Sequence, residues 1–189
     1  MKEKVSLSPD KRTWQPSPLL GQVVLVTSLN EDGQSNVAPK SWLSMMAFEP
    51  SLLALGCNLN HWTAQNILQR REFVVNIPGD DLVDIVWKCH TLPHPRPVEH
   101  LGLKSLPARM VKPPLILECK AHLECTYVQH LTFGEEVILL GQIVAASIDR
   151  AAVEAHDPYK YLRLFTFLED ETIGVIEKAR RMGESGSIE

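Results

Sequence analysis

The run Val23-Val24-Leu25-Val26-Thr27 is β-branched and apolar at odd and even positions alike, the signature of a strand covered on both faces. Asn30-Glu31-Asp32-Gly33 follows with the turn chemistry of a β-hairpin, so a return strand is expected from Ser35. Between Ser35 and Met46 the even positions are Asn36, Ala38, Lys40, Trp42 and Ser44, and the odd ones are Val37, Pro39, Ser41, Leu43 and Met45. An extended chain separates these into a polar and aromatic face and a mainly apolar one. The first face either lines a ligand site or meets water while Trp42 covers the edge of a core. Pro39 has no N–H to give to a ladder and marks an edge or bulged strand.

Beyond the Glu49-Pro50 turn, Ser51 to Cys57 is a third apolar run, broken by Asn58-Leu59-Asn60-His61. Residues Thr63 to Arg70 read as a short helix with Thr63 or Asn60 as N-cap. Phe73 to Ile77 resumes strand, and Leu82, Ile85, Val86 and Cys89 recur at helical spacing after Asp80 and Asp81. Prolines crowd residues 91–114, a long irregular segment of the kind that is usually functional or mobile. Strands are expected near Leu115–Val128 and Val137–Ile148, joined across Phe133-Gly134-Glu135-Glu136. Ile173, Ile176, Ala179 and Met182 predict an amphipathic C-terminal helix. The sum is an α+β, mainly β fold: an antiparallel sheet of six or more strands with short helices, closing into a barrel. Residues 1–18 form an arm, 19–182 one domain, and 183–189 a disordered tail.

Several functions are disfavoured. Nineteen Lys and Arg against 23 Asp and Glu leave a net charge of −4, unpromising for duplex nucleic acid, whose affinity comes from neutralised phosphates. The longest strongly apolar stretch, Val137 to Ile148, contains Gly141, Gln142 and Ser147 and is shorter than the roughly 20 residues that span a bilayer. Met1-Lys2-Glu3-Lys4 is not followed by an apolar signal core, so a cytoplasmic protein is expected. Four cysteines without a C-x-x-C pair read as reduced, buried thiols. Cys89, His90, His94 and His100 are zinc-ligand types, but no second pair stands at finger spacing, and a loop rich in prolines and histidines explains them better. Neither the signatures of ester hydrolysis and zinc proteolysis nor the glycine motifs of nucleotide binding occur. Asp80-Asp81 and Glu169-Asp170-Glu171 read as solvated helix starts rather than opposed catalytic acids.

What remains is the polar face beginning at Asn36 and a helix whose first turn carries Thr63 and Asn66. A helix N-terminus presents unpaired N–H groups and a positive dipole end to a phosphate, and Lys40 or His61 adds charge. A flat heterocycle against Trp42, with its phosphate at the helix, would use both segments.

The segments Asn36-Val37-Ala38-Pro39-Lys40-Ser41-Trp42, Phe48-Glu49-Pro50, Thr63-Ala64-Gln65-Asn66-Ile67 and Glu72-Phe73-Val74-Val75-Asn76-Ile77-Pro78 resemble the flavin reductase-like, flavoredoxin-type family. The likeness continues through Gly102-Leu103, Lys112-Pro113-Pro114 and His122-Leu123-Glu124-Cys125 to Gly141, covering residues 18–148. It rests on the order and spacing of these segments together. The resemblance implies an FMN-binding split barrel, a homodimer with one FMN per subunit near the interface, and NADH or NADPH as reductant. It places Asn36, Trp42 and Thr63 around the flavin, with Ala38, Pro39, Lys40, Ser41, Leu43 and Ser44 along the ring.

Two positions depart from the family pattern. Gly134-Glu135-Glu136 stands where many members have Gly-Asp-His, so Glu136 replaces a histidine beside the flavin, and Arg96-Pro97 stands where a lysine is usual, leaving Arg96 as the cation. The implied chemistry is hydride transfer from a nicotinamide to flavin, then electron delivery to an acceptor that the sequence does not name. Orientation and electrostatics are the protein's part, and no side chain has to act as an acid or base. The departures keep open an FMN-binding electron carrier or flavin-delivery protein without nicotinamide oxidation. A third alternative is a split barrel for another ligand or a partner protein.

Overall fold

The computed structural model describes residues 4–14, 16–168 and 171–179. A short β1 (Gly21–Gln22) leads into β2 (Val24–Leu29), which turns back into β3 (Ser35–Lys40). The turn is built locally. Asp32 Oδ1 accepts from the Gln34 N–H at 3.0 Å, and Gly33 takes a φ of +83°, where a side chain would be strained. Val24 and Val26 enter one apolar cluster with Leu53, Leu55, Ile67, Phe73 and Leu139. Leu25, on the other parity, joins Val37, Leu82, Cys89 and Ile116 in a second. β2 is therefore buried on both faces, as its pattern requires.

The single strand expected from Ser35 to Met46 is two strands. β3 stops at Lys40, and β4 (Leu43–Phe48) begins after Ser41-Trp42, pairing with β5 (Ser51–Asn58). The break has a packing cause: the Ser41 carbonyl lies so close to Gly21 that a Cβ there would sit 1.9 Å from it, and Pro39 offers no ladder hydrogen bond. The chain continues through α1 (Trp62–Arg70), β6 (Glu72–Ile77), α2 (Val83–Thr91), β7 (Ser105–Leu106), β8 (Leu115–Ile116) and the long hairpin β9 (Ala121–Phe133) and β10 (Glu136–Ile148). The main sheet has seven strands in the order β3-β2-β6-β9-β10-β5-β4, all antiparallel. Its two outer strands are consecutive in the chain and only two residues apart. The sheet therefore curls until its edges meet at Ser41-Trp42 without pairing, which is a split barrel around the first cluster. Pro39 lies on an outer strand, as expected.

The proline-rich segment is tied down rather than free. The Val37 N–H donates to the Arg96 carbonyl at 2.9 Å, covering part of the β3 edge. The Thr27 hydroxyl donates to the Pro114 carbonyl at 2.6 Å. The buried Asn76 carboxamide accepts from the Ile116 N–H at 2.8 Å, and the Glu124 carboxylate accepts from the N–H groups of Arg109 and Met110.

After α3 (Arg150–Glu154) and α4 (Pro158–Leu162), β11 (Phe165–Phe167) and β12 (Ile173–Val175) form a three-stranded sheet with β1. The expected C-terminal helix is thus contradicted at Ile173, and Ile176 and Ala179 lie in irregular chain. β-branched Ile173 and Val175 flank Gly174, a poor helix former, and β11 supplies a partner. Met182 and the tail 183–189 lie outside the described residues. No helix among the described residues is long and apolar enough to cross a membrane, and the four cysteines are free and buried.

Candidate functional site

Where the two sheet edges meet, a cavity of about 470 Å³ opens. One wall is Ala38 to Trp42, the end of β3 and the step to β4. Gly56, Cys57 and Asn58 of β5 form another, and the start of α1 brings His61, Trp62 and Thr63. α2 and the proline-rich segment add His90, His94 and Arg96, and Glu136 enters from the start of β10. The indole of Trp42 lies against Gly56, where an added Cβ would come within 3.1 Å of Trp42 Cβ and Cε3. The absent side chain sets the wall position.

α1 starts differently from expectation. His61, not Thr63 or Asn60, is the N-cap residue, in extended conformation and without a side-chain cap bond. Asn58 Oδ1 accepts from the Asn60 N–H at 2.9 Å and shapes the approach. Thr63 therefore falls in the first turn of the helix. Its residue is 1% exposed, and its hydroxyl has no hydrogen-bond partner among the described residues.

The cavity is rich in cationic and imidazole groups. Lys40 Nζ lies 3.3 Å from His61 Nδ1, and Arg96 Nε donates to the Leu92 carbonyl at 2.6 Å. Neither Lys40 nor Arg96 is in an ion pair among the described residues. Burial, and then Arg96, pulls the Lys40 ammonium below its usual range. Burial first and the neighbouring cations second pull His61 and His94 down as well, so both imidazoles favour the neutral form. Glu136 is the carboxylate in the lining.

His94 is held in a defined state. Asn36 Oδ1 accepts from the Arg96 backbone N–H at 3.3 Å and contacts His94 Nδ1 at 2.9 Å. The backbone donor fixes that atom as oxygen, so His94 Nδ1 must carry the proton. The ring stacks on Trp62 with centroids 5.9 Å apart. Asn36 Nδ2, like the Thr63 hydroxyl, is buried with no hydrogen-bond partner among the described residues.

A family model described as the flavin reductase like domain matches residues 18–164. The chain belongs to this family. Among curated relatives, an uncharacterized protein of Pyrococcus abyssi is 27% identical over 134 residues, spanning 71% of this chain and 77% of that one. Among solved structures, flavoredoxin from Methanosarcina acetivorans is 20% identical with a TM-score of 0.82, covering 97% of both chains. The FMN-binding protein from Thermus thermophilus with bound p-hydroxybenzaldehyde is 17% identical with a TM-score of 0.78, covering 96% of this chain and 99% of that one. These structural likenesses establish the flavin reductase split-barrel fold.

Within that fold, Ala38, Pro39, Lys40, Ser41, Trp42, His61, Thr63 and Arg96 line one cavity. Four expected flavin contacts do not. Asn36 is fully buried behind His94. Asn66 donates to Ser28 Oγ at 3.0 Å and Asn30 Oδ1 at 2.9 Å, fastening α1 to the first hairpin. Leu43 packs on the barrel core, and the exposed Ser44 hydroxyl donates to the adjacent Met45 carbonyl. The last two leave because the chain changes direction at Ser41-Trp42. Sequence reasoning missed Trp62, His90 and His94 as cavity residues. In the sequence His90 and His94 stand out only as metal-ligand types, and among the described residues no His, Cys, Asp and Glu cluster is placed to hold a metal.

Proposed function

We propose that the chain binds FMN in this cavity and passes electrons from NADH or NADPH through it to an acceptor. The observation that carries the reading is one cavity joining the Trp42 indole, the cations Lys40 and Arg96, which form no ion pair among the described residues, and the buried Thr63 hydroxyl, which has no hydrogen-bond partner among them. A buried hydroxyl without a partner costs about 1–3 kcal/mol, and a phosphate oxygen would relieve it. Lys40, Arg96 and the first N–H groups of α1 would hold the phosphate, while Ala38 to Trp42 would flank the ring. When bound, the flavin supplies the hydride and electron transfer; the protein orients it, neutralises its phosphate and keeps one face open. Anaerobic mixing of the FMN-loaded protein with NADH or NADPH tests the reaction: the flavin absorbance should bleach, and no bleaching with either donor removes the reductase reading.

Glu136 favours a second reading, an FMN-binding electron carrier or flavin-delivery protein without nicotinamide oxidation. Its carboxylate lines the cavity and opposes a dinucleotide that brings further negative charge. Retained FMN without bleaching, but with reduction by a chemical donor, identifies this case.

The working form in this proposal is a homodimer, with flavin near the interface. β4 is a sheet edge on which Met45, Met46 and Phe48 are 48%, 52% and 91% exposed, an edge that invites covering. The free buried thiols suit a cytoplasmic setting.

A further inference from the structure

A second cavity of about 470 Å³ lies beyond the Pro39-Lys40-Ser41 wall and shares that wall and His90 with the first. Its makeup is different. α2 turns Ile85, Val86 and Cys89 toward the core, where Leu82, the residue before the helix, joins them. Another stripe of that helix, Val83, Trp87 and His90, spaced by four and three residues, lines this cavity, and Val86 borders both the core and the cavity. Trp87 is 45% exposed and stacks on His90 with centroids 5.8 Å apart. Across from it, β11 presents Phe165 and Phe167, two residues apart and hence on one face, with Ile173 paired to Phe167 on β12. The segment that failed to form a helix therefore supplies the far wall.

The charges also differ. Asp84 and Glu171 line this cavity, and neither is in an ion pair among the described residues. The partly buried Lys40 is shared with the first cavity. Aromatic faces on two sides with carboxylates at hand favour a flat ring and disfavour an anion, while the volume is that of a small-molecule site.

We propose that this cavity is a separate binding site for a flat, apolar aromatic molecule bearing no negative charge, seated between Trp87 and Phe167 beside the flavin cavity. The inference does not depend on what fills the first cavity.

Calorimetric titration of the full chain with 1-naphthol and with naphthalene-1-sulfonate, with and without FMN, tests it. The neutral ring should bind at one site, roughly fivefold more tightly than the sulfonate. Trp87→Ala and Phe167→Ala should each weaken it by roughly tenfold. Asp84→Lys should raise sulfonate affinity, a gain that misfolding cannot produce. Naphthol affinity unmoved by both aromatic variants, or lost on FMN loading, overturns the proposal. So does NADH displacing naphthol at equal affinity, because that would seat a dianion there. Naphthol bound without FMN uptake leaves this site standing and removes the flavin reading; FMN taken up without naphthol does the reverse.

Discussion

Asn36 Oδ1 meets His94 Nδ1 at 2.9 Å and also accepts from the Arg96 N–H, so one buried carboxamide on the β3 edge positions two cavity residues from the proline-rich segment. Replacing it by leucine removes the acceptor for both donors. Asn36→Leu should destabilise the protein by about 1–3 kcal/mol and weaken FMN binding, although Asn36 does not line the cavity. Urea unfolding and flavin titration of the same preparation check both effects.

Removing a cation or the hydroxyl that would meet the phosphate should discriminate between flavins. Lys40→Met, Thr63→Val or Arg96→Met should each weaken FMN by roughly tenfold or more, with little effect on riboflavin, which lacks the phosphate. Parallel fluorescence titrations with the two ligands measure that ratio.

Gly56 faces the Trp42 indole at a separation where a Cβ is already tight, 3.1 Å. Gly56→Val adds two methyl groups beyond that and should push the ring into the cavity. FMN affinity should fall severalfold, with an altered tryptophan emission, while Gly56→Ala has a smaller effect. Overpacking of this kind typically costs about 1–3 kcal/mol, which thermal unfolding would register.

The pH dependence follows from the two imidazoles. His61 and His94 have folded-state pKa values below the ordinary 6.5. The unfolded chain then binds more protons than the folded one as pH falls through 6.5, so flavin-free protein should lose stability below that pH. The contribution is present above 6.5 and fades as pH drops through the folded values. A bound phosphate pulls the same pKa values up, so FMN should bind more tightly on mild acidification, riboflavin should not, and a double His61→Gln, His94→Gln variant should flatten the difference.

The bare β4 edge makes a hydrodynamic prediction. Phe48→Glu, at a residue 91% exposed, should shift sedimentation from dimer to monomer without altering the barrel's far-UV circular dichroism.

How much of this was legible in the chain depended on range. β2 was readable because burial on both faces demands apolar residues at both parities. Pro39 was readable as an edge because a missing N–H is a local fact. Trp42, Lys40 and Thr63 were brought to one site by family likeness and by anion chemistry at a helix start. The break at Ser41-Trp42 was not readable, since there the chain passes against Gly21, twenty residues away, whose missing side chain leaves room for the Ser41 carbonyl. His94 was hidden because no periodicity runs through a proline-rich segment, and its place is set by pairing with β3. Asn36 and Asn66 carried the polarity of ligand contacts, but the fold uses both as buried joints. Ile173 kept helical spacing, and its tertiary partner β11 overrode that spacing.

The most direct test of the central claim is equilibrium titration of flavin-free protein with FMN and with riboflavin. One FMN per chain, bound at least tenfold more tightly than riboflavin, with the preference abolished by Thr63→Val together with Lys40→Met, is the result this account predicts. Equal affinity for the two flavins, or no binding of either, would contradict it.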